Sequence, residues 1–106
     1  MVKRGDIWLA ALDPTVGSEI QKTRPCVVVS PPEINDHLRT VVVAPMTTGS
    51  RTAPYRVPIS FAGKRGLILL EQVRSVDKRR LVKHVGKAPI RVVTEALRIL
   101  RELFSE

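Results

Sequence analysis

The sequence predicts an α+β fold: a small, strongly bent antiparallel β barrel that ends in one α-helix. Five to seven short apolar or alternating segments are separated by proline, glycine and polar turn residues. Only the C-terminal segment has helical spacing. A chain of 106 residues is long enough to bury one core, and it contains no internal repeat. We therefore predict a single domain over residues 1–106.

The first half of the chain predicts three strands. Each is rich in apolar or β-branched residues and is bounded by turn chemistry; they are Gly5–Leu12, Pro25–Val29 and Thr40–Pro45. The prolines after Val29 end the second strand, because proline has no N–H to donate to a sheet. The PPEINDH segment that follows predicts one helical turn.

The second half predicts further strands and then the helix. Tyr55–Ser60 alternates, Gly66–Val76 reads as two strands sharing a bend near Glu71-Gln72, and a short strand covers Leu81–Gly86. Pro89 suits a first helical position. After it, apolar residues recur at intervals of three and four, which predicts a helix that packs on the sheet through Val93, Ala96, Leu97, Leu100, Leu103 and Phe104.

The charge balance indicates a polyanionic partner. Eighteen Lys and Arg residues against ten Asp and Glu give a net charge of +8, which suits nucleic acid or an acidic protein. No segment is long and apolar enough to span a membrane, and no signal-peptide pattern opens the chain, so we expect a cytoplasmic protein. The single cysteine, Cys26, is expected to be a small buried hydrophobe.

Several kinds of site are not expected. One cysteine and two histidines without metal-ligand spacing predict no metal site, and we expect no cofactor. The chain also lacks a Gly-rich phosphate loop and a nucleophile elbow. What remains are polar loops beside rigid strands, Gly17–Arg24 and Met46–Arg51. If the second and third strands pair, Arg24 lies close to Thr47, although an arginine before a strand is more often a solvated flank and a threonine a turn residue.

Four motifs resemble the MazF/PemK toxin family. They are KRGDIW, DPTVGSEIQKTRPCVVVS, APMTTG and LLEQVRSVDKRRL, and together they cover nearly the whole chain in order. The resemblance implies an SH3-like barrel with a terminal helix that forms a homodimer. It also implies the toxin of a type II toxin–antitoxin system, a metal-independent and sequence-specific endoribonuclease that cuts single-stranded RNA, and inhibition by a cognate acidic antitoxin.

The resemblance also assigns site residues. By position, the family's catalytic arginine matches Arg24, its threonine matches Thr47 with Thr48 as the competitor, and Glu19 matches a position tied to activity or RNA contact. Because a guanidinium stays protonated at neutral pH, Arg24 suits an electrostatic clamp, and Glu19 or a water is expected to be the base. Further candidates for RNA contact are Ser18, Lys22, Thr48, Ser50, Tyr55 and Gln72.

Three segments depart from the family, and two other functions stay open. The loop after Thr48 and the segment Phe61–Arg65 are short. Many family members carry a glycine shortly before the Arg-Pro pair, where this chain has Ile20–Thr23. The first alternative is a toxin of the same architecture that poisons a protein target such as DNA gyrase. The second is a barrel that binds RNA without cutting it.

Overall fold

The computed structural model describes residues 1–106 and contains seven strands and two helices. In chain order they are β1 (Asp6–Ala11), β2 (Thr23–Val28), α1 (Pro32–Asn35), β3 (Thr40–Thr47), β4 (Arg56–Phe61), β5 (Lys64–Leu69), β6 (Arg74–Asp77), β7 (Leu81–Lys87) and α2 (Ile90–Leu103). Short 3₁₀ turns, Leu70–Gln72 and Lys78–Arg80, flank β6. The first of them is the bend predicted near Glu71-Gln72. Every strand pair is antiparallel, so the predicted α+β class is confirmed.

The strands form one curled sheet in the order β4-β5-β3-β2-β1-β7, with β6 beside β3. β3 is central: β2 lies on one side, while β6 pairs with its first half and β5 with its end. The sheet is a half-barrel whose edges are β4 and β7. Phe61 of β4 packs on Gly86 of β7, where a side chain would approach the ring to 2.9 Å. The ring thus helps to cover the opening between the two edges.

Both faces of the sheet are buried, and this explains the unbroken apolar run in β2. Val27 and Val29 belong to a core of 13 buried residues that also contains the inner face of α2. Cys26 and Val28 point the other way, into a smaller core of seven buried residues. Successive side chains from Cys26 to Val29 therefore point alternately into the two cores.

Helix α2 packs on the sheet as predicted, mainly on β4, but its most buried residues differ in part from those predicted. Its buried residues are Val92, Ala96 and Ile99. Four of the residues predicted for that face, Val93, Ala96, Leu97 and Leu100, do contact the core, whereas Leu103 is exposed and Phe104 lies beyond the helix at 77% exposure. Pro89 is the residue before the helix and not its first residue. No helix here has the length and apolar character needed to cross a membrane.

Candidate active site

The ladder between β2 and β3 ends at the point where the sequence placed its candidate site. The paired residues are Val28 with Val43, Val27 with Ala44 and Cys26 with Pro45, and the same register two steps further sets Arg24 opposite Thr47. Pro25 and Pro45 have no N–H to donate, which favours an end to the ladder here. β3 then changes partner, and Thr47 pairs with Leu67 of β5.

Arg24 and Thr47 line one cavity of about 280 Å³ where β3 leaves β2, which we call the Arg24 cavity. The prediction that these two residues lie close together is therefore confirmed. Thr48 and Lys64 also line the cavity, and the rest of its lining is apolar or glycine. Its only charged residues are Arg24 and Lys64, with no carboxylate among them. A cavity with two cations and two hydroxyls is suited to an anion such as a phosphate.

Arg24 is held from both its backbone and its side chain. β2 begins at Thr23 and not at the predicted Pro25, so Arg24 lies inside the strand, where it pairs with Ala10 of β1. Its Nε donates to the carbonyl of Gln21 at 3.2 Å. This bond uses only Nε, so the two terminal nitrogens keep their donors for a ligand.

Thr47 also has a defined orientation. Its Oγ1 accepts a hydrogen bond from the Gly49 N–H at 3.3 Å, which leaves the hydroxyl proton free to point into the cavity. Thr48 is exposed and its side chain makes no such bond. The geometry therefore favours Thr47 over Thr48 as the threonine whose hydroxyl serves the cavity. Gly66 of β5 lies against Thr47, since an added Cβ would be 2.8 Å from the Thr47 carbonyl oxygen. Glycine is therefore required for the close approach of β5.

Glu19, Ser18 and Gln72 line a second cavity of about 580 Å³, which we call the Glu19 cavity. Pro45 lines it too, and the next residue, Met46, lines the Arg24 cavity. The structure thus divides the sequence-predicted site residues between two neighbouring cavities. The Glu19 carboxylate accepts a hydrogen bond from the Val16 N–H at 2.7 Å, inside its own loop, and forms no ion pair with Lys22. Glu71, which is paired with Arg56, adds a second carboxylate to this cavity and Arg74 adds one cation, so the lining is less cationic than that of the Arg24 cavity.

The loop between β1 and β2 is fixed by side chains from β6 and its flanking turns. The Gln72 Oε1 accepts from the Ile20 N–H at 2.7 Å, and its Nε2 lies 3.5 Å from the Ser18 carbonyl. Arg74 donates to the Leu12 carbonyl at 3.2 Å, and Arg80 donates to the Ala11 carbonyl at 3.0 Å. Gln72 therefore holds the loop, and part of the basic charge of the chain satisfies buried or half-buried carbonyls.

Lys22 adopts a left-handed backbone conformation, with φ of 70°. This conformation strains a residue with a Cβ and is easy for glycine. The segment Ile20–Thr23, which lacks the glycine that many family members carry there, therefore contains a strained position two residues before Arg24.

Replacing Lys22 with glycine is expected to stabilise the protein by about 0.5–1 kcal/mol, because relief of the left-handed strain exceeds the entropy cost of glycine. Chemical denaturation measures the change in free energy of unfolding. Lys22→Asn is the matched control: it removes the charge and tolerates φ > 0 less well than glycine, so its gain should be smaller. A destabilised Lys22→Gly protein would contradict the argument.

Three candidates for RNA contact, Lys22, Ser50 and Tyr55, line neither cavity. Tyr55 is 39% exposed and lies in a groove against α2, near Arg98 and Leu103. Ser50 is half-buried in the loop after β3 and lines neither cavity. The structure therefore does not bring Ser50 and Tyr55 together with Arg24.

Sequence reasoning missed Lys64, which lines the Arg24 cavity, and Arg56, which is bonded to Glu71 of the Glu19 cavity. Lys64 lies 17 residues after Thr47 in the sequence. It lines the cavity only because β5 pairs with the end of β3. Arg56 ties the loop after β3 to Glu71 through Nε at 3.0 Å, and its Nη1 donates to the Arg51 carbonyl at 2.8 Å. The hydrogen bond that Arg56 donates to Glu71 raises the pKa of Arg56 above its ordinary value. An arginine that opens a strand is too common a feature for this role to be read from sequence.

Nucleophilic thiol chemistry is excluded at Cys26. The residue is fully buried, and this burial raises the pKa of its thiol to about 12 against a smaller opposing effect of the Arg74 charge. The thiol is thus protonated at neutral pH, which confirms Cys26 as a small buried hydrophobe. No cluster of three or more His, Cys, Asp or Glu side chains has metal-binding proximity. His84 instead stacks on Trp8 at 5.1 Å and lies 3.5 Å from the buried Asp6 carboxylate.

Known proteins resemble this chain over most of its length. Residues 3–104 match the family model of the PemK-like, MazF-like toxin of type II toxin–antitoxin systems. Endoribonuclease PemK of Escherichia coli is 39% identical over 102 residues, covering 91% of this chain and 77% of that protein. Endoribonuclease EndoA of Bacillus subtilis (strain 168) is 36% identical over 108 residues, covering 93% of each.

The fold agrees with these relatives. The crystal structure of MazF from Deinococcus radiodurans has a TM-score of 0.86 and 27% identity, with 96% of this chain and 94% of that chain covered. A family model matching nearly the whole chain, together with relatives of this identity, confirms the resemblance carried by the four motifs. The chain belongs to the PemK-like, MazF-like toxin family of type II toxin–antitoxin systems.

Proposed function

We propose that this chain, as one domain over residues 1–106, is an endoribonuclease toxin that cuts single-stranded messenger RNA at specific short sequences without a metal ion. Family membership and the endoribonuclease relatives support the class of activity. The observation that carries the site is the Arg24 cavity, which Arg24 of β2 and Thr47 of β3 both line.

The residues of the cavity suit cleavage by the neighbouring 2′-hydroxyl. The 2′-oxygen forms a bond to phosphorus as it loses its proton, and the bond from phosphorus to the 5′-oxygen breaks. The products are a 2′,3′-cyclic phosphate and a 5′-hydroxyl. The terminal nitrogens of Arg24 neutralise the extra negative charge on the phosphorane, and Thr47 donates its free hydroxyl proton to a phosphate oxygen. Arg24 can also supply a proton to the departing 5′-oxygen.

Of the two bases that the sequence left open, we assign proton removal to water. Glu19 lines the neighbouring cavity, and its carboxylate is engaged with the Val16 N–H. No carboxylate lines the Arg24 cavity. A general base must reach the proton that it abstracts, directly or through one water.

Glu19→Gln is expected to change kcat by less than about threefold, because Glu19 lies outside the Arg24 cavity and does not remove the proton. Loss of a true general base would typically cost about 10²–10⁴-fold. The amide oxygen of glutamine can still accept from the Val16 N–H, so the loop should stay in place. Single-turnover cleavage at saturating enzyme measures the effect. A loss of 100-fold or more in a folded variant would instead assign the base to Glu19.

The Glu19 cavity is suited to the nucleobases of the RNA rather than to its phosphates. The carboxylates of Glu19 and Glu71 can accept hydrogen bonds from base amino groups, and the hydroxyl of Ser18 can donate or accept. Because this cavity adjoins the Arg24 cavity, a base flanking the cut phosphate can occupy it. We therefore assign the sequence preference of cleavage to the loop between β1 and β2.

The proposed partners follow from charge and family. A net charge of +8 attracts RNA into the cavities and also suits a cognate acidic antitoxin. We further propose that the toxin acts as a homodimer in the cytoplasm, where it meets messenger RNA.

One experiment separates this function from its rivals. The purified protein is incubated with a long single-stranded RNA in excess EDTA, and the ends of the products are mapped. Discrete cuts that carry a 2′,3′-cyclic phosphate support the proposal. Intact RNA at high protein concentration contradicts it. If the RNA stays intact, two further assays identify the rival. Salt-sensitive RNA binding in a binding assay indicates an RNA-binding barrel. Inhibition in a DNA gyrase assay indicates a toxin with a protein target.

A further inference from the structure

Lys64 is the second cation of the Arg24 cavity. It is the first residue of β5 and lies opposite Phe61 across a tight hairpin turn. The turn residues, Ala62 and Gly63, have φ of 52° and 75°, as a hairpin turn of this kind requires. The ladder therefore holds the backbone of Lys64 in a defined place.

The position of Lys64 relative to Thr47 is set by β5. Thr47 pairs with Leu67, which lies three residues after Lys64, or about 10 Å along the strand. Gly66 and Lys64 lie on the same face of β5, and Gly66 contacts the backbone of Thr47. The backbone of Lys64 is thus offset along β5 from the position opposite Thr47, and the lysine lines the same cavity from there.

The ammonium of Lys64 is also free to bind a ligand. The side chain is exposed and makes no hydrogen bond or ion pair within the protein. Other cations are engaged: Arg56 with Glu71, Arg74 with a carbonyl of the loop after β1, and Lys78 with the Asn35 carbonyl. A compact, hydrated ammonium acts as a point charge toward phosphate, without the directed fork of a guanidinium.

We propose that Lys64 binds a phosphate of the RNA next to the one that is cut, and so forms a subsite that anchors the strand across the cavity. This inference rests on the proposed function, because it takes the Arg24–Thr47 pair as the place of cleavage. A flanking phosphate keeps its charge throughout the reaction, so Lys64 stabilises the bound substrate and the transition state equally. Its loss should therefore raise KM and leave kcat nearly constant.

Arg65 provides a matched control. It is the next residue, is equally exposed and carries the same charge. It lines a different cavity, with Ser60 and Arg91, because successive side chains of a strand point to opposite faces. Lys64→Gln and Arg65→Gln therefore change the net charge equally, and only the first removes a cation from the Arg24 cavity.

The test is the salt dependence of RNA binding. The probe is a single-stranded RNA that contains a mapped cut site with a 2′-deoxy nucleotide there, so that it binds without reacting. Its Kd is measured from about 50 to 200 mM salt for wild type, Lys64→Gln and Arg65→Gln. One lost phosphate contact is expected to lower the slope of log Kd against log salt by about 0.7 for Lys64→Gln. Arg65→Gln should keep the wild-type slope.

Each outcome decides the inference. A lower slope and a raised KM for Lys64→Gln alone support it, whereas equal slopes for wild type and Lys64→Gln, or equal losses in both variants, overturn it. Thermal unfolding confirms that both variants are folded. Cleavage of the all-RNA oligonucleotide by wild type is scored separately. If wild type does not cut, the proposed function fails, and the slopes are then measured on the all-RNA oligonucleotide, which binds without reacting and still shows whether Lys64 contacts phosphate.

Discussion

Replacing Arg24 with glutamine is expected to lower kcat for RNA cleavage about 10²–10³-fold, which corresponds to about 2.7–4 kcal/mol of barrier. Arg24 is the cation held at the end of the β2–β3 ladder, and its terminal nitrogens are not used by the protein. Their interaction with phosphate grows as negative charge develops in the transition state. The loss should therefore appear in kcat more than in KM. Single-turnover kinetics under excess enzyme measure the chemical step.

Arg24→Lys is the control for charge. Lysine keeps a cation in the cavity but lacks the planar fork and the Nε donor to the Gln21 carbonyl. An intermediate rate would show that both charge and geometry contribute. If folded Arg24→Gln protein cuts RNA at the wild-type rate, the assignment of Arg24 is wrong whatever the family.

Replacing Thr47 with valine is expected to lower kcat about 10–100-fold, because a hydrogen bond to a charged group is worth about 1.5–3 kcal/mol. Valine has nearly the same shape and suits a strand, so the change removes the hydroxyl with little effect on packing. The bond from the Gly49 N–H is lost as well. That bond lies in an exposed loop, where water can replace the acceptor. The same single-turnover assay gives the rate.

Two further variants identify the threonine. Thr47→Ser keeps the hydroxyl and should retain most of the activity. Thr48→Val removes the neighbouring hydroxyl, which also lines the cavity but has no partner to orient it. If kcat fell strongly in Thr48→Val and stayed near the wild-type value in Thr47→Val, the hydroxyl that binds the phosphate would belong to Thr48 and not to Thr47.

The fold could be predicted because local patterns dominate it. The β-branched run after Arg24 and the prolines that bound it define β2, and the antiparallel pairing of β2 with β3 follows from two neighbouring short strands. From that pairing alone, Arg24 and Thr47 meet. The site was therefore accessible to sequence reasoning to the extent that one ladder determines it.

Features that depend on three or more elements could not be predicted in this way. The position of β4 decides which face of α2 is buried. Helical spacing alone therefore predicted a buried face that included Leu103 and Phe104, which are exposed. Glu19 is separated from Arg24 because Gln72, from a distant turn, holds the loop through the Ile20 N–H. Lys64 joins the cavity only through the change of partner at the end of β3. Each is a tertiary effect on residues that are unremarkable in sequence.

The most direct measurement of the central claim replaces one oxygen in the substrate. A single-stranded RNA with one mapped cut site is compared, in excess EDTA, with the same RNA carrying a 2′-deoxy nucleotide immediately before the cut phosphate. Cleavage by the 2′-hydroxyl in the Arg24 cavity predicts that the substituted RNA binds with similar affinity and is not cut there. Continued cutting at that phosphate would contradict the account, because the nucleophile would then come from elsewhere.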